Sequence, residues 1–341
     1  MGGSRLFGWS LDGIAEQHKL NIVTYDRPSS GGSTACALAH RVEWSHYALL
    51  AILDALPTRP TTFSVLSHSN GLIYALYTLL HLPSHLSVKS WHLTSAYVAP
   101  WLSGSVPLTL ARMLPAQATA QFGLLAGSIL RTVGPIGNIG SWSAGFARAS
   151  SGLSGLIASA TEAPAGDVPA DTPERELARF KFRNAARPAH KRLYGRYYYS
   201  QACVDLASKF TLAEGTDALG PEALLSFRIG GGDLWGWGGP EGNEEMAGAE
   251  LGTLYERGFE ALGRRMAARG ERIRIQVVFG AQDGLVPEQG RDYLRDLLVE
   301  KLALVAEDDW TEVDGAGHDE VLGLEVVADS VLEMAYNSLT S

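Results

Sequence analysis

The stretch Thr62–Gly71 reads TFSVLSHSNG, an apolar run that breaks into Ser67-His68-Ser69-Asn70-Gly71 before a second apolar run begins. A serine on a sharp turn between a strand and a helix stands exposed above a sheet. Small residues two places to either side let the backbone pass close by. The positive end of the following helix favours the negative charge that develops as a hydroxyl attacks a carbonyl. A second match to the small-x-Ser-x-Gly pattern, Ser141-Trp142-Ser143-Ala144-Gly145, follows GPIGNIG, which is unsuited to a buried strand. Context therefore selects Ser69 over Ser143. The plain alternative for Ser69 is a helix N-cap.

A serine nucleophile needs a base, and the base needs an orienting acid. Seven of the nine histidines lie at or before residue 92, leaving His190 and His318. His318 ends Val313-Asp314-Gly315-Ala316-Gly317-His318, a glycine-rich loop after an apolar segment. That places an imidazole at the C-terminal edge of a strand, where open α/β sheets build their sites. His190 lies among Arg187, Lys191 and Arg192, which reads as exposed surface. His68 adjoins Ser69, and its side chain is expected to point away from the turn. The acid is assigned to Asp283, in Phe279-Gly280-Ala281-Gln282-Asp283, with Asp314 as a rival too close along the loop to reach the His318 Nδ1. The chain order is then Ser69, Asp283, His318.

These residues need elements to hold them. Asn21–Tyr25, Thr62–Leu66, a strand within Val88–Val98, Ile273–Phe279 and Trp310–Val313 read as strands. Val42–Leu56, Leu72–Leu82, Val286–Leu298 and Val321–Leu339 read as helices. Strands separated by 10–15-residue helices mean crossover connections and a parallel sheet. Residues 101–270 differ. They hold an Ala/Gly/Ser-rich tract (134–160), an acidic stretch expected to be a loop (161–174), helical segments near 175–186 and 244–268, and GGGDLWGWGG at 230–239. The expected domains are a first core part (1–100), a large, mainly helical cap insertion (101–270) and a second core part (271–341).

Composition narrows the partners. Apolar residues make up 46% of the 341 and charged residues 19%, enough for a large core and unlike a disordered chain. With 28 basic and 37 acidic residues the net charge is −9, which repels phosphate backbones, so no nucleic-acid partner is expected. Cys36 and Cys203 cannot form a disulfide framework and read as ordinary thiols. No CxxC or HExxH pattern offers a metal site, and no cofactor is implied. The longest charge-free apolar stretch, Met113–Leu130, contains Pro115, Gln117 and Gln121, so no integral membrane span is expected. MGGSRLFGW has no leader pattern, which gives the cytoplasm as the expected location.

GSR (Gly3–Arg5), VTYDRP (Val23–Pro28), VLSHSNG (Val65–Gly71), FGAQDGLVP (Phe279–Pro287) and GAGHDEV (Gly315–Val321) together resemble the α/β-hydrolase superfamily, specifically its capped serine hydrolases. The resemblance covers residues 1–100 and about 271–341. It implies an α/β-hydrolase fold: a mostly parallel sheet flanked by helices and covered by a cap. It also implies that Ser69 attacks a carbonyl, His318 takes its proton, Asp283 holds the imidazole, and the backbone N–H of Asn70 donates to the oxyanion. The implied substrate is a small carboxylic ester or related acyl compound. Aromatic and apolar residues of the cap, Trp101, Phe122, Trp142, Trp235 and Trp237 among them, suit a hydrophobic one if they do not pack the cap's own core. Acyl transfer or C–C cleavage of a diketone would use the same triad. Epoxide hydrolases and haloalkane dehalogenases of this fold place Asp where Ser69 stands.

Members of this superfamily carry Gly where Ser67 stands and begin with further strands. The third of those strands is central and leads to a His-Gly loop that supplies the second oxyanion donor. Here GGSR resembles the tail of that loop, with only Gly2 and Gly3 to offer N–H groups. A missing central strand leaves two rows of backbone groups unpaired inside the sheet, at about 1–3 kcal/mol per buried group. The N-terminal strands are therefore expected to be missing, as in an incomplete version of a longer protein. The alternatives are a rearranged sheet and a catalytically impaired pseudoenzyme or ligand-binding remnant.

Overall fold

A computed structural model of the chain describes residues 4–121, 191–193, 210, 214, 217–229, 234–237 and 253–341. Among these, a parallel sheet is built from β1 (Thr62–His68), β2 (Ser87–Thr94), β3 (Lys191–Leu193), β4 (Arg274–Gly280) and β5 (Trp310–Val313), in the spatial order β1-β2-β4-β5-β3. Every pairing is parallel, as the strand and helix alternation predicts. The three-residue β3 is not anticipated by any apolar run in its sequence.

The flanking helices are α1 (Asp12–Gln17), α2 (Arg41–Ala55), α3 (Gly71–His81), α4 (Leu219–Ser226), α5 (Leu254–Arg269), α6 (Glu288–Arg295) and α7 (Glu325–Thr340). Strand alternation sorts the core into two faces. Trp91, Leu93, Ile275, Val277 and Phe279 pack with Leu72 and Leu76 of α3 and Phe259 and Leu262 of α5. On the opposite face Val278 and Val313 meet Val327 and Val331 of α7. α1 closes that side, with Leu11 and Ile14 against Ala328 and Leu332. α3 is apolar nearly all round and is buried accordingly. Trp235 and Trp237 are wholly buried against Tyr255, so they are core and not a substrate lining. Cys36 is a free, half-buried thiol.

One predicted strand does not form. Residues 21–25 are irregular and mostly exposed, with Thr24 Oγ1 donating to the Arg5 carbonyl at 2.8 Å and Tyr25 Oη 3.0 Å from Ser45 Oγ. A β-branched run becomes a strand only where a neighbour supplies ladder partners, and none of the described residues does so here. Among the described residues β1 and β3 are the sheet edges, and β1, β2, β4 and β5 pair in succession without an interior gap.

The expected features at 134–160, 161–174 and 175–186, with Ser143, His190 and Cys203, lie outside the described residues. So do 244–252 of the helix read at 244–268, whose described part is α5. Among the described residues no helix is long and apolar enough to cross a membrane.

Candidate active site

Strand register decides which loops meet. His68 pairs with Thr94, Thr94 with Val278, and Gly280 with Val313. Ser69, Ser95, Ala281 and Asp314 therefore all leave the sheet at one edge, the C-terminal edge where parallel sheets place their sites. Cross-links between the loops fix that edge. The Ser69 N–H donates to the Thr94 carbonyl at 3.0 Å, Ser95 N–H to Val278 at 2.8 Å, Ala281 N–H to Val313 at 2.8 Å and Gln282 N–H to Ala316 at 3.0 Å.

Ser69 has φ +53, in the left-handed region that a side chain adopts only when its surroundings impose it. The Tyr97 and Leu72 N–H groups both donate to the Ser69 carbonyl at 3.1 Å, locking the turn into the start of α3. A Cβ at Gly71 would lie 3.2 Å from Arg27 Nη2 and 3.4 Å from Ser67 Cβ, which accounts for the small residue there. Ser95 is also strained, at φ +42, and its hydroxyl donates to the His318 carbonyl at 2.8 Å.

The structure brings the three sequence-assigned side chains together. Ser69 Oγ is 2.7 Å from His318 Nε2, and His318 Nδ1 is 2.7 Å from Asp283 Oδ2. His318 and Asp283 are both buried. The second carboxylate oxygen accepts from the Leu285 and Val286 N–H groups at 2.9 and 2.8 Å, so Asp283 is held as a turn residue as well. Buried Arg291 on α6 donates to the Val286 carbonyl at 2.9 Å and to Ala281 at 3.4 Å, clamping the loop that carries Asp283. Gly280 permits the two loops to touch: a Cβ there would stand 2.3 Å from the Ala316 carbonyl oxygen. The Gly317 N–H donates to Glu320 at 2.6 Å, fixing the histidine loop.

Burial works to lower the His318 pKa, but the charge and hydrogen bond of Asp283 overcome it, with Asp319 assisting, so it lies above the ordinary imidazole value. Between the two candidate acids, it is Asp283 that meets the His318 Nδ1.

His68 differs from expectation. Its ring lies 5.2 Å from that of His318, with Nδ1 3.1 Å from Thr94 Oγ1 and Nε2 3.2 Å from Asp319 Oδ1. Burial lowers its pKa, which favours the neutral ring. His68, His318 and Asp319 are the one group among the described residues whose ligand atoms gather within 4.8 Å. Both His318 nitrogens are already engaged by Ser69 and Asp283, so this set does not fit a resident metal ion. Of the expected oxyanion donors, Asn70 opens α3 beside Ser69. Gly2 and Gly3 lie outside the described residues.

Sequence reasoning misses Glu222, which α4 brings to the residue after Ser69, with Asn70 Nδ2 donating to it at 2.5 Å. No local pattern marks it.

No family model and no curated protein matches the sequence. A mutant epoxide hydrolase from Solanum tuberosum is similar over 99% of this chain and 89% of its own, at 14% identity and a TM-score of 0.51. A mutant epoxide hydrolase from Vigna radiata is similar over the same shares, at 12% identity and a TM-score of 0.50. Identities this low speak for architecture alone. With its parallel sheet, crossover helices and strand-to-helix serine turn, this chain has the α/β-hydrolase fold.

Proposed function

We propose that the chain is a serine hydrolase that cleaves a small carboxylic ester or related acyl compound through an acyl-enzyme on Ser69. The observation that carries this reading is the unbroken chain of two 2.7 Å contacts from hydroxyl to imidazole to buried carboxylate. Ser69 Oγ attacks the carbonyl carbon as its proton passes to His318 Nε2. The ionised Asp283 holds Nδ1–H and balances the imidazolium. The Asn70 N–H supports the oxyanion, a type of donor worth roughly 2.7–4 kcal/mol in the transition state. Collapse of the intermediate breaks the bond to the alcohol, which leaves with the His318 proton. Water, deprotonated by His318, then attacks the acyl carbon, releasing the acid and restoring Ser69.

The two solved structures of similar fold named above are epoxide hydrolases. A hydroxyl at Ser69, in place of the aspartate expected for that chemistry, supports carbonyl attack instead. Residues 101–270 are proposed as the insertion that carries the cap, with β3 joining the sheet and α5 packing against it. With Trp235 and Trp237 in the core, half-buried Trp101 and exposed Phe210 are the described aromatics of 101–270 left to support a hydrophobic substrate.

A fluorophosphonate probe at micromolar concentration tests the reading. Wild type should label and Ser69→Ala should not. An unlabelled wild type would favour the pseudoenzyme.

A further inference from the structure

Behind the serine turn lies a polar cluster, buried at Glu222, Arg41 and Tyr74 and half-buried at Arg27 and Asn70, that the hydrolytic steps leave unused. Glu222 of α4 sits among four donors. Its Oε1 accepts from Arg41 Nε at 2.9 Å and Tyr74 Oη at 2.6 Å. Its Oε2 accepts from Asn70 Nδ2 at 2.5 Å and Arg27 Nη1 at 3.3 Å. Arg27 Nη1 also donates to Asn70 Oδ1 at 3.2 Å, while its guanidinium lies 4.1 Å above the Tyr74 ring. The Asn70 amide is thereby gripped at both ends, its NH₂ by a carboxylate and its oxygen by a guanidinium.

We infer that Glu222 is a positioning residue: it fixes the Asn70 side chain and, through it, the direction of the backbone N–H aimed at the reacting carbonyl. This rests on the hydrolase reading above. The peptide in question follows a serine held at positive φ, and its carbonyl already accepts from the Tyr97 and Leu72 N–H groups; the Asn70 side chain adds a hold on its N–H side. An amide–carboxylate bond is charge-assisted, and with the carboxylate buried it is stronger than a fully exposed counterpart. Small errors in such alignment are expensive: a displacement of about 1 Å can cost on the order of 100-fold in rate. Glu222 stands 152 positions from Asn70. The docking of α4 and the readiness of the oxyanion donor are therefore one event.

A competing role for Glu222 is to neutralise Arg27 and Arg41. Asn70→Ala separates the two, because it cuts the tether, keeps the backbone N–H and leaves the ion pairs intact. The experiment measures kcat and KM on a chromogenic short-chain ester for wild type, Asn70→Ala, Glu222→Gln and the double variant. Thermal unfolding and the ¹⁵N order parameter of the residue-70 amide are recorded for each. Asn70→Ala should fold, lower kcat roughly 10- to 100-fold with KM and the pH midpoint unmoved, and loosen the amide. Glu222→Gln should add less than about twofold in that background. Undiminished losses in the double variant, or an unchanged Asn70→Ala, would overturn the inference. A wild type that is inert but keeps a rigid residue-70 amide, loosened by Glu222→Gln, would sink the hydrolase reading and leave the tether standing.

Discussion

The indole N–H of Trp91 on β2 donates to the hydroxyl of Ser67 on β1 at 2.9 Å. Trp91 is wholly buried, stacked on Phe259 at 6.0 Å. Its N–H has no route to water, and an unmet buried donor costs about 1–3 kcal/mol. The hydroxyl two places before Ser69 thus has a structural task, at a position where the resembled superfamily carries glycine.

Ser67→Gly should therefore lower stability by about 1–3 kcal/mol while leaving the labelling rate of Ser69 nearly unchanged. Trp91→Phe removes the donor, so the two substitutions combined should cost less than their sum. Denaturant unfolding of the four proteins checks this. Additive losses would mean that the two side chains do not depend on each other.

Gly280 and Gly284 make an internally controlled pair. A methyl at Gly280 would meet the Ala316 and Gly317 carbonyl oxygens at 2.3 and 2.6 Å, whereas one at Gly284 meets nothing within 4 Å. Gly280→Ala must push the histidine loop away from the Asp283 loop, at about 1–3 kcal/mol of overpacking. It should slow fluorophosphonate labelling on the order of 100-fold. Gly284→Ala should label like wild type. Equal rates for both variants would show that the contact between the loops is not what aligns His318.

How far the sequence speaks depends on how local the cause is. The Ser69 turn, the Asp283 loop and the His318 loop are legible because each follows an apolar strand. Parallel register then delivers all three to one edge without further instruction. Asn21–Tyr25 misleads because β propensity is only fitness for a ladder, and the ladder partner is a property of the whole sheet. Glu222 is invisible for the opposite reason. A lone glutamate in an apolar helix carries no signal until folding surrounds it with Arg27, Arg41, Asn70 and Tyr74. The sequence around Trp235 and Trp237 suits a core and a lining equally, and only burial separates the two.

The pKa of His318 sets a pH dependence. Nε2 must be unprotonated to take the Ser69 proton, and Asp283 raises the imidazole pKa against the effect of burial. The labelling rate should fall with decreasing pH through a midpoint above the ordinary histidine value of about 6.5. Asp283→Asn removes the charge that favours the imidazolium, so the midpoint should move down, while the rate drops by roughly 10⁴-fold. A midpoint that stays in place would show that Asp283 is not the group acting on His318.

His92 predicts an acid-labile fold independent of catalysis. It is buried between Gln276 Oε1 and Ser90 Oγ, both at 2.9 Å, and burial lowers its pKa to about 4 against the opposing pull of Gln276. The unfolded chain titrates near the ordinary value of about 6.5. Between those values the unfolded state binds more protons, so stability rises with pH and is lost as pH falls through this window. The loss approaches roughly 3 kcal/mol at its acid end. His46, likewise lowered to about 4 by burial, acts in the same direction. Unfolding midpoints in urea, measured between about pH 6.5 and 4.5, should fall for wild type and fall less for His92→Gln, which carries no titrating group. Parallel curves for the two proteins would mean that His92 keeps its proton when folded, and the sheet would then have to shelter a charge between β2 and β4.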